Sequence, residues 1–298
     1  MLLRVGSPFG TPKTFLCGPL RSLRLSGSAL QSLRDATGTL HAPATGDVRI
    51  VSLVPSITEL VIDLGLAREL VGRTGFCVHP RDIVRRIPKV GGTKDVDLDK
   101  VRALRPTHAI VNVDENRKET ADALREFVAN VIVTHPLAPE DNLALYRLIS
   151  GIFAREAAAE DLCARFESAL AETKRAAARF APERVLYLIW RDPWMTVSRD
   201  TYISRTLALV NWNTVPIAAP VRYPSLALDE ATLANADVVM LSSEPYRFTE
   251  RHVAELAAMP ALAKKRVMLV DGEMTSWYGS RAIAGLKYLA ALRAGCPA

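Results

Sequence analysis

Short apolar runs alternate with helical segments over most of this chain of 298 residues, and this alternation limits the possible folds more than any other feature. The runs lie at residues 48–54, 109–113 and 131–133 in the first half and at 185–189, 238–241 and 266–270 in the second half. Strands that are apolar at nearly every position are buried on both faces, which is typical of parallel sheets covered by helices. The sequence therefore predicts an α/β fold with parallel sheets.

Helices are predicted between these runs, and the first begins at Ile57 and is ended by Gly65. Ser56 precedes this helix and Glu59 follows three residues later, the spacing of a capping box, so we expect Ser56 to cap the helix. Further helices are predicted at 99–104, 119–127, 201–209, 230–234, 249–259 and 282–293.

The middle of the chain, residues 139–181, has no strand pattern and contains two predicted helices, 142–153 and 156–180. The second helix has one semi-apolar stripe, formed by Ala157, Leu162, Phe166, Leu170 and Thr173. About 25 residues at 1.5 Å each give a rod of roughly 37 Å. One stripe without sustained heptads argues against a coiled coil. We expect a rigid connector that lies against two lobes.

The two halves of the chain resemble each other, because a short helix that begins with an acidic residue precedes a strand in each half. We therefore predict two Rossmann-like lobes with parallel sheets, residues 35–137 and 182–298, joined by a long backbone helix within the connecting segment 138–181. Residues 1–34 are rich in Arg, Ser, Gly and Leu and lack a continuous apolar stretch, so we expect a disordered leader or a degenerate export signal there.

The net charge of +6 and the pI near 9.2 come mainly from this first segment. Residues 1–34 contain five basic residues and no acidic one, which leaves 33 basic against 32 acidic residues in the rest. A nearly neutral folded part argues against a basic surface that binds the phosphate backbone of nucleic acid, so we expect no nucleic-acid partner. No stretch is long and apolar enough for stable insertion into a membrane.

The cysteines and histidines do not form a metal site or a catalytic site in the sequence. Cys17, Cys77, Cys163 and Cys296 are far apart with no CxxC pair, and His41, His108, His135 and His252 are scattered. His79 could ligate cobalt or iron, although a lone loop histidine is more often a surface hydrogen-bonding group. Cys77 and His79 point to opposite sides of a strand. We expect no resident metal and no enzymatic activity.

Aromatic residues in the last third of the chain follow predicted strands and stand beside Pro, Asn, Arg and Gly. They are Trp190, Trp194, Trp212, Tyr223, Trp277 and Tyr278. Open α/β sheets bind ligands at the carboxyl ends of their strands, where apolar walls and a few polar groups converge. Packing in a core is the alternative for any of these rings. The pattern predicts a cleft for a flat, partly apolar ligand.

Several short segments, in this order along the chain, resemble the cobalamin-binding branch of the class III periplasmic binding proteins. They are Ser-Leu-Val-Pro-Ser-Ile-Thr-Glu-Leu at 52–60, Val-Gly-Arg-Thr at 71–74, Pro-Lys-Val-Gly-Gly at 88–92 and Leu-Arg-Pro-Thr at 104–107. The resemblance covers about residues 47–294. The wider family binds cobalamin, haem, ferric siderophores and metals. The resemblance implies two lobes on a helical backbone that hold a ligand in the cleft with modest closure.

The resemblance also implies roles for individual residues. Phe76 matches an aromatic at the cleft edge, Tyr223 a stacking aromatic, and Met195 a position that is commonly aromatic. Asp99 and Glu230 match the acidic residues that dock on arginines of a membrane permease. The resemblance and the residue pattern together predict a ligand site. Its residues are Pro55, Ser56, Phe76, His79, Asn112, Trp190, Trp194, Met195, Tyr223, Glu244, Trp277, Tyr278 and Arg281.

These observations predict a monomeric, periplasmic solute-binding protein that captures a corrinoid and delivers it to an ABC importer permease. Cobalamin is then a bound ligand, and no catalytic cofactor is expected. Haem or a ferric siderophore is the alternative ligand, since Arg73, Arg191, Arg222 and Arg281 are available for a siderophore. A cytosolic corrinoid-handling or enzymatic protein on the same scaffold is the third hypothesis, because the first segment is not a clear export signal.

Overall fold

The computed structural model describes residues 33–217 and 219–295. The predicted leader therefore lies almost wholly outside the described residues, as do Cys17 and Cys296. Among the helices in the described part, none combines the length and the hydropathy that a membrane span needs.

The first half of the chain forms a sheet of four parallel strands. They are β1 (Ile50–Ser52), β2 (Leu70–Arg73), β3 (His108–Asn112) and β4 (Asn130–Thr134). Their order in the sheet is β2-β1-β3-β4, and β1 pairs in parallel with both β2 and β3. Every residue of β1 and β3 is buried, and so are all but one of β2 and of β4, which explains why the strands read as continuous apolar runs in the sequence.

The second half forms a sheet of five strands. They are β5 (Glu183–Trp190), β6 (Met195–Thr196), β7 (Trp212–Thr214), β8 (Val238–Ser242) and β9 (Arg266–Val270). The order is β6-β5-β8-β9; β7 pairs in parallel with the start of β5, and β6 pairs antiparallel with its end. The parallel strands β7-β5-β8-β9 thus repeat the order of the first sheet. The predicted α/β fold with two Rossmann-like parallel sheets is confirmed.

Helices cover both sheets and connect them. Their bounds are α1 Pro55–Asp63, α2 Arg81–Val84, α3 Leu98–Ala103, α4 Lys118–Arg125, α5 Asp141–Phe153, α6 Glu156–Ala177, α7 Tyr202–Ala208, α8 Glu230–Ala234, α9 Glu250–Ala257, α10 Gly272–Ser276 and α11 Arg281–Arg293, with a short 3-10 helix at Pro260–Leu262. The predicted helices all lie within a few residues of observed ones, whereas α2 and α10 were not predicted.

The connecting helix α6 has 22 residues, about 33 Å at 1.5 Å per residue. Its buried stripe begins at Ala159 rather than at the exposed Ala157, and it runs through Leu162, Phe166 and Thr173. The Thr173 hydroxyl donates to the carbonyl oxygen of Leu286 at 3.0 Å. The helix therefore packs on the core of the first half and on α11 of the second half.

The largest apolar cluster crosses from one half of the chain to the other. It contains side chains of α1, α5 and α6 together with Tyr202, Tyr278, Ile283 and Leu286 from the second half. Lobes joined by a small polar interface usually move freely, but a large apolar interface restrains them. The described halves are thus held together by buried apolar contacts, which restrain their movement relative to each other. The predicted domain boundaries stay a prediction.

The predicted cap of the first helix is wrong. Helix α1 begins at Pro55, Val54 occupies the N-cap position, and no side chain caps the helix. Proline fits the first helical position because its ring fixes φ and its missing N–H has no partner there anyway. Ser56 therefore lies inside the helix, and Glu59 pairs with Arg281 instead of closing a capping box.

The prediction that Trp212 lies in a loop beside the cleft is also wrong. Trp212 begins β7, where it pairs with Glu183 at the amino end of β5. Its ring is fully buried, and its Nε1 donates to the Glu183 carboxylate at 3.0 Å. This indole belongs to the core of the second half, at the end of the sheet opposite to the carboxyl ends of the strands.

Candidate functional site

Because the main strands of each sheet are parallel, the loops that follow them gather at one edge of that sheet. We call these segments the strand-end loops; they comprise residues 74–80 and 113–117 in the first half and 191–194, 215–217, 219–225, 243–249 and 271–279 in the second. The two sets contact each other, as the hydrogen bonds described below demonstrate. Facing strand ends are where α/β proteins place ligands.

Exposed large hydrophobic side chains concentrate at these loops. Within the described residues they are Phe76, Val78, Val113, Trp190, Ile217 and Val221, and Leu40 is the one further example. Phe76 is 62% exposed and Trp190, the last residue of β5, is 40% exposed. Several apolar side chains exposed to solvent in one set of loops are typical of an interaction site.

Tyr278 lies buried where the two halves meet. Its hydroxyl donates a hydrogen bond to the carboxylate of Glu115, which follows β3 in the other half. The ring packs edge to face against Tyr202, with 5.8 Å between the centroids. Tyr278 therefore forms part of the floor between the two sets of loops.

Gly279 allows this close approach of the halves. Its φ is +76°, and a Cβ atom at this position would lie 3.0 Å from the carbonyl oxygen of Ser56. Its N–H donates to Asn142 at 2.7 Å, and its carbonyl accepts from the Tyr146 hydroxyl at 2.8 Å. Pro55 and Ser56 are thereby buried beneath the last strand-end loop.

Arg222 joins the halves at a second point. Its guanidinium lies 2.6 Å from the Asp114 carboxylate and 2.6 Å from Nε2 of His135. The Tyr223 hydroxyl donates to the same carboxylate at 3.3 Å. Asp114 thus collects two donors from the second half of the chain.

Arg281 forms the third connection. Its guanidinium makes a two-pronged contact with the Glu59 carboxylate, both bonds measuring 2.7 Å, and it also lies 3.3 Å from Glu273. Nε2 of His79 is 2.9 Å from Glu273. The Trp277 ring lies between these groups, edge-on to His79 and 5.0 Å from the Arg281 guanidinium. His79, Trp277 and Arg281 therefore form one network between the halves.

Glu244 follows β8 and accepts hydrogen bonds from Trp277 Nε1 at 2.6 Å and from the Ser276 hydroxyl at 3.0 Å. Burial raises the pKa of this carboxyl, while the two hydrogen bonds oppose the shift. A Cβ atom on Gly272 would lie 2.5 Å from the Glu244 side chain, so glycine is required beside it.

Burial raises the pKa of Glu115 to about 7. The hydrogen bond from Tyr278 opposes this shift, and the charges of Glu244 and Asp114 add to it. A raised pKa in the folded state means that Glu115 favours folding fully below its ordinary value of 4.5 and that this contribution is lost as the pH rises through about 7.

We therefore expect Glu115→Gln to reduce the loss of stability between pH 6 and pH 8.5, by about 1–3 kcal/mol relative to the unaltered protein. Glutamine keeps an acceptor for Tyr278 but has no charge to bury. Urea unfolding at both pH values measures the difference, and Glu126→Gln on the exposed end of α4 is the matched control. Equal pH dependence in the Glu115 variant and the unaltered protein would contradict this assignment.

The other predicted site residues lie at the same edge but differ in exposure. Trp190 packs edge to face on Tyr246, and Trp194 stacks in parallel on Phe248 with 5.9 Å between centroids. Met195 is partly buried against the core of the second half. The rings predicted to line the cleft thus divide into exposed (Trp190), partly buried (Trp194 and Tyr223) and buried (Trp277 and Tyr278). Their role in ligand binding stays a prediction.

Asn112, the last residue of β3, is buried and shapes the loop that carries Asp114 and Glu115. Its side-chain oxygen accepts from the backbone N–H groups of both residues, and its amide nitrogen donates to Thr134. Each end of the amide is therefore already used within the first half of the chain.

Asp99 and Glu230 occupy matching positions on the two halves. Each lies in the first turn of a short helix, α3 or α8, whose N-cap is an aspartate, Asp97 or Asp229. The Asp99 side chain is 95% exposed and pairs with Arg102 on its own helix. The dipole of the helix favours acidic residues at these positions by itself. Docking on a permease stays a prediction.

Sequence reasoning did not select Glu115 or Glu273 as site residues and assigned Glu59 to a helix cap. Glu115 follows the apolar run 109–113 by two residues, and Glu244 follows the run 238–241 by three, so the position of Glu244 in the other half was the signal that could have found it. Glu59 and Glu273 had no such signal, because their partner Arg281 is distant in the sequence.

Two cavities lie outside the strand-end loops. One of about 360 Å³ is bordered by Lys174, Arg205 and Leu209 at the ends of α6 and α7. The other, of about 210 Å³, is bordered by Asp63, Asp161 and other residues beside α1 and α6. In the described part of the chain, no group of three His, Cys, Asp or Glu side chains is placed to hold a metal ion.

Residues 50–274 match the model of the family described as periplasmic binding protein. The vitamin B12-binding protein of Photorhabdus laumondii subsp. laumondii is 18% identical over 202 residues, which are 68% of this chain and 73% of that protein.

Two solved structures have the same fold at low sequence identity. The periplasmic vitamin B12 binding protein BtuF of Vibrio cholerae superposes with a TM-score of 0.70 and 19% identity over 83% of this chain and 96% of that chain. The periplasmic heme-binding protein RhuT from Roseiflexus sp. RS-1 superposes with a TM-score of 0.71 and 23% identity, over 83% of this chain and 98% of that chain. The family model covers about three quarters of the chain. The chain therefore belongs to the class III periplasmic binding proteins, the non-enzymatic components that bind a small ligand and deliver it to an ABC importer.

Proposed function

We propose that this protein captures a corrinoid, such as cobalamin, between its two sets of strand-end loops and delivers it to an ABC importer. The observation that carries the proposal is the concentration of exposed apolar side chains at these loops, among them Phe76, Val113 and Trp190. A corrin ring has two broad, partly apolar faces, so it can cover such side chains from both halves at once. Burial of apolar surface then provides the main binding energy.

The charged groups favour a corrinoid over haem or a siderophore. A haem carries two propionates, and planar guanidinium groups are the usual partners of carboxylates. The guanidinium groups considered for this purpose already contact protein acceptors: Arg73 contacts backbone carbonyls, Arg191 contacts Glu255, and Arg281 contacts Glu59. Arg222 contacts Asp114 through Nη1, and its Nη2 is buried and so closed to a ligand, although it has no hydrogen-bond partner among the described residues. The corrin periphery carries neutral amides, which need no such cations.

Rigid lobes also support tight capture. Micromolar affinity requires about −8 kcal/mol, and part of any binding energy is normally lost in ordering the site. Helix α6 and the apolar cluster that contains Tyr278 hold the strand-end loops in place before a ligand arrives. Less ordering is then needed on binding.

Delivery to an importer requires export and a docking surface. We propose that Asp99 and Glu230 dock on basic residues of the permease, one on each half of the protein, and that a monomer is delivered to the periplasmic side. Exposed charges at such a surface act mainly on the rate of encounter. Fractionation of cells tests the compartment, since a pool confined to the cytosol would exclude this role and favour the corrinoid-handling alternative.

Titration with cyanocobalamin, followed by Trp fluorescence and corrin absorbance, tests the ligand, with haemin titrated in parallel. We expect micromolar or tighter binding of cyanocobalamin. Trp190→Ala should weaken it about 10-fold, because a packed aromatic ring contributes about 1–2 kcal/mol. Leu40→Ala is the control, since Leu40 is similarly exposed but is not part of the strand-end loops. Absence of any spectral change with excess cyanocobalamin, or binding of haemin alone, would exclude the corrinoid.

A further inference from the structure

Two glutamates occupy equivalent positions in the two halves of the chain. Strands β3 and β8 have the same place in their respective sheets, each pairing with the first strand of its half. Glu115 lies three residues beyond the end of β3, and Glu244 lies two residues beyond the end of β8. Each set of strand-end loops thus contributes one carboxylate to the edge where the halves meet.

These two carboxylates differ from their acidic neighbours because neither is in an ion pair with a described residue. Asp114 pairs with Arg222, and Glu59 and Glu273 pair with Arg281. The nearby Lys94 ammonium donates to the backbone carbonyl of Asp114 at 2.7 Å. The site therefore holds spare acceptors. Each of these guanidinium groups is already in an ion pair, although Nη2 of Arg222 is buried without a hydrogen-bond partner among the described residues.

The donors that Glu115 and Glu244 do have are neutral. Glu115 accepts through Oε1 from the Tyr278 hydroxyl, and Glu244 accepts through Oε1 from Trp277 and Ser276. Oε2 of each carboxylate receives no hydrogen bond from the described residues, and neither atom is fully enclosed. An ionised carboxylate offers about four acceptor positions, so each can take further donors from a ligand.

We propose that Glu115 and Glu244 are specificity-determining residues that accept hydrogen bonds from carboxamide N–H groups of the ligand and reject ligands that present carboxylates there. This inference rests on the proposed function and defines which groups on the periphery of the ligand the site selects. A carboxamide places an N–H donor on Oε2. A carboxylate at the same place has no donor and brings a further negative charge next to two acids.

Burial strengthens this discrimination. It raises the pKa of both carboxyls, and the charge of Glu244 adds to the shift of Glu115, so the two acids already oppose each other across the halves. A third negative charge in the same partly dehydrated place is disfavoured, and a site built to hydrogen-bond a donor rejects an analogue that lacks it.

The test compares cyanocobalamin with its separated monocarboxylic acids, in which one peripheral carboxamide is hydrolysed to a carboxylate. At pH 8, calorimetry should give at least one monocarboxylic acid with a dissociation constant about 10-fold or more above that of cyanocobalamin. Glu115→Gln or Glu244→Gln should bring this ratio to within about threefold, because glutamine also offers an N–H donor to the carboxylate. Glu172→Gln, on the exposed face of α6, should leave the ratio unchanged.

Three results would overturn the inference, and they are distinguishable. Equal affinity of the unaltered protein for cyanocobalamin and all its monocarboxylic acids removes the selection but leaves corrinoid capture standing. If both glutamine variants keep the ratio of dissociation constants of the unaltered protein, and melt at nearly its temperature, then other residues select the carboxamide. Failure to bind any corrinoid removes the proposed function, and the inference with it.

Discussion

Replacing Asp35 with alanine is expected to destabilise the protein by about 3–5 kcal/mol, the range for removing one partner of a buried charged network. The Asp35 side chain is fully buried beside His41, 3.1 Å away. Its carboxylate also accepts from the backbone and hydroxyl of Thr37, the backbone of Thr39 and the backbone N–H of Val133 in β4. These bonds fasten the first described residues to the edge of the first sheet.

The pKa of Asp35 explains the pH range of this effect. Burial alone raises the pKa, but the hydrogen bonds from His41, Thr37 and Val133 outweigh burial and hold it well below the ordinary value of 3.8. The stabilisation is therefore fully present above that value and is lost as the pH falls towards the lower pKa of the folded state.

Urea unfolding at pH 7 measures the loss, with Asp35→Asn as a second variant that keeps the size of the side chain. Asp161→Ala, on the exposed face of α6, is the control and should change stability little. A loss of less than about 1 kcal/mol in both Asp35 variants would show that the network contributes little, since typical surface substitutions stay in that range.

Replacing Arg281 with methionine is expected to cost about 2–4 kcal/mol, because it leaves Glu59 buried without its cation. Arg281 and Glu59 are only 12% and 15% exposed, and their two hydrogen bonds connect α11 to α1 across the two halves. Arg165→Met on α6 removes an exposed arginine from its pair with Asp161 and should cost at most about 0.5 kcal/mol.

The double variant Glu59→Leu with Arg281→Met separates the two causes of that loss. Two apolar side chains of similar volume can replace a buried ion pair at little cost, so the double variant should recover most of the stability that the single one loses. Thermal and urea unfolding measure the stability of the three variants against that of the unaltered protein. A single variant as stable as the Arg165 control, or a double variant less stable than the single one, would contradict this account of the interface.

The regular elements were predictable because their signals are local. The apolar runs of β3 and β8 and the stripe of α6 follow from burial on both faces of a sheet and on one face of a helix. Strands β6 and β7 were not predicted, since two or three residues are too few to show a period. The first helix begins at Pro55, one residue before the predicted cap at Ser56, and the presence of a serine alone could not indicate this earlier start.

The site was less predictable because its contacts join distant parts of the sequence. Tyr278 and Glu115 are 163 positions apart, and Arg281 and Glu59 are 222 positions apart. Their types and loop positions indicated a site, but which acid faces which base depends on how the two halves are placed against each other. Trp212 shows the converse: its polar neighbours suggested a loop, and pairing with Glu183 placed it in the core.

Hydrogen exchange measured with and without cyanocobalamin tests most directly whether the ligand is held between the two halves. The account predicts slower exchange in strand-end loops of both halves, 74–80 and 113–117 in the first and 191–194 and 243–249 in the second, with α6 unchanged. Protection confined to one half, or centred on the cavity beside α6 and α7, would contradict it.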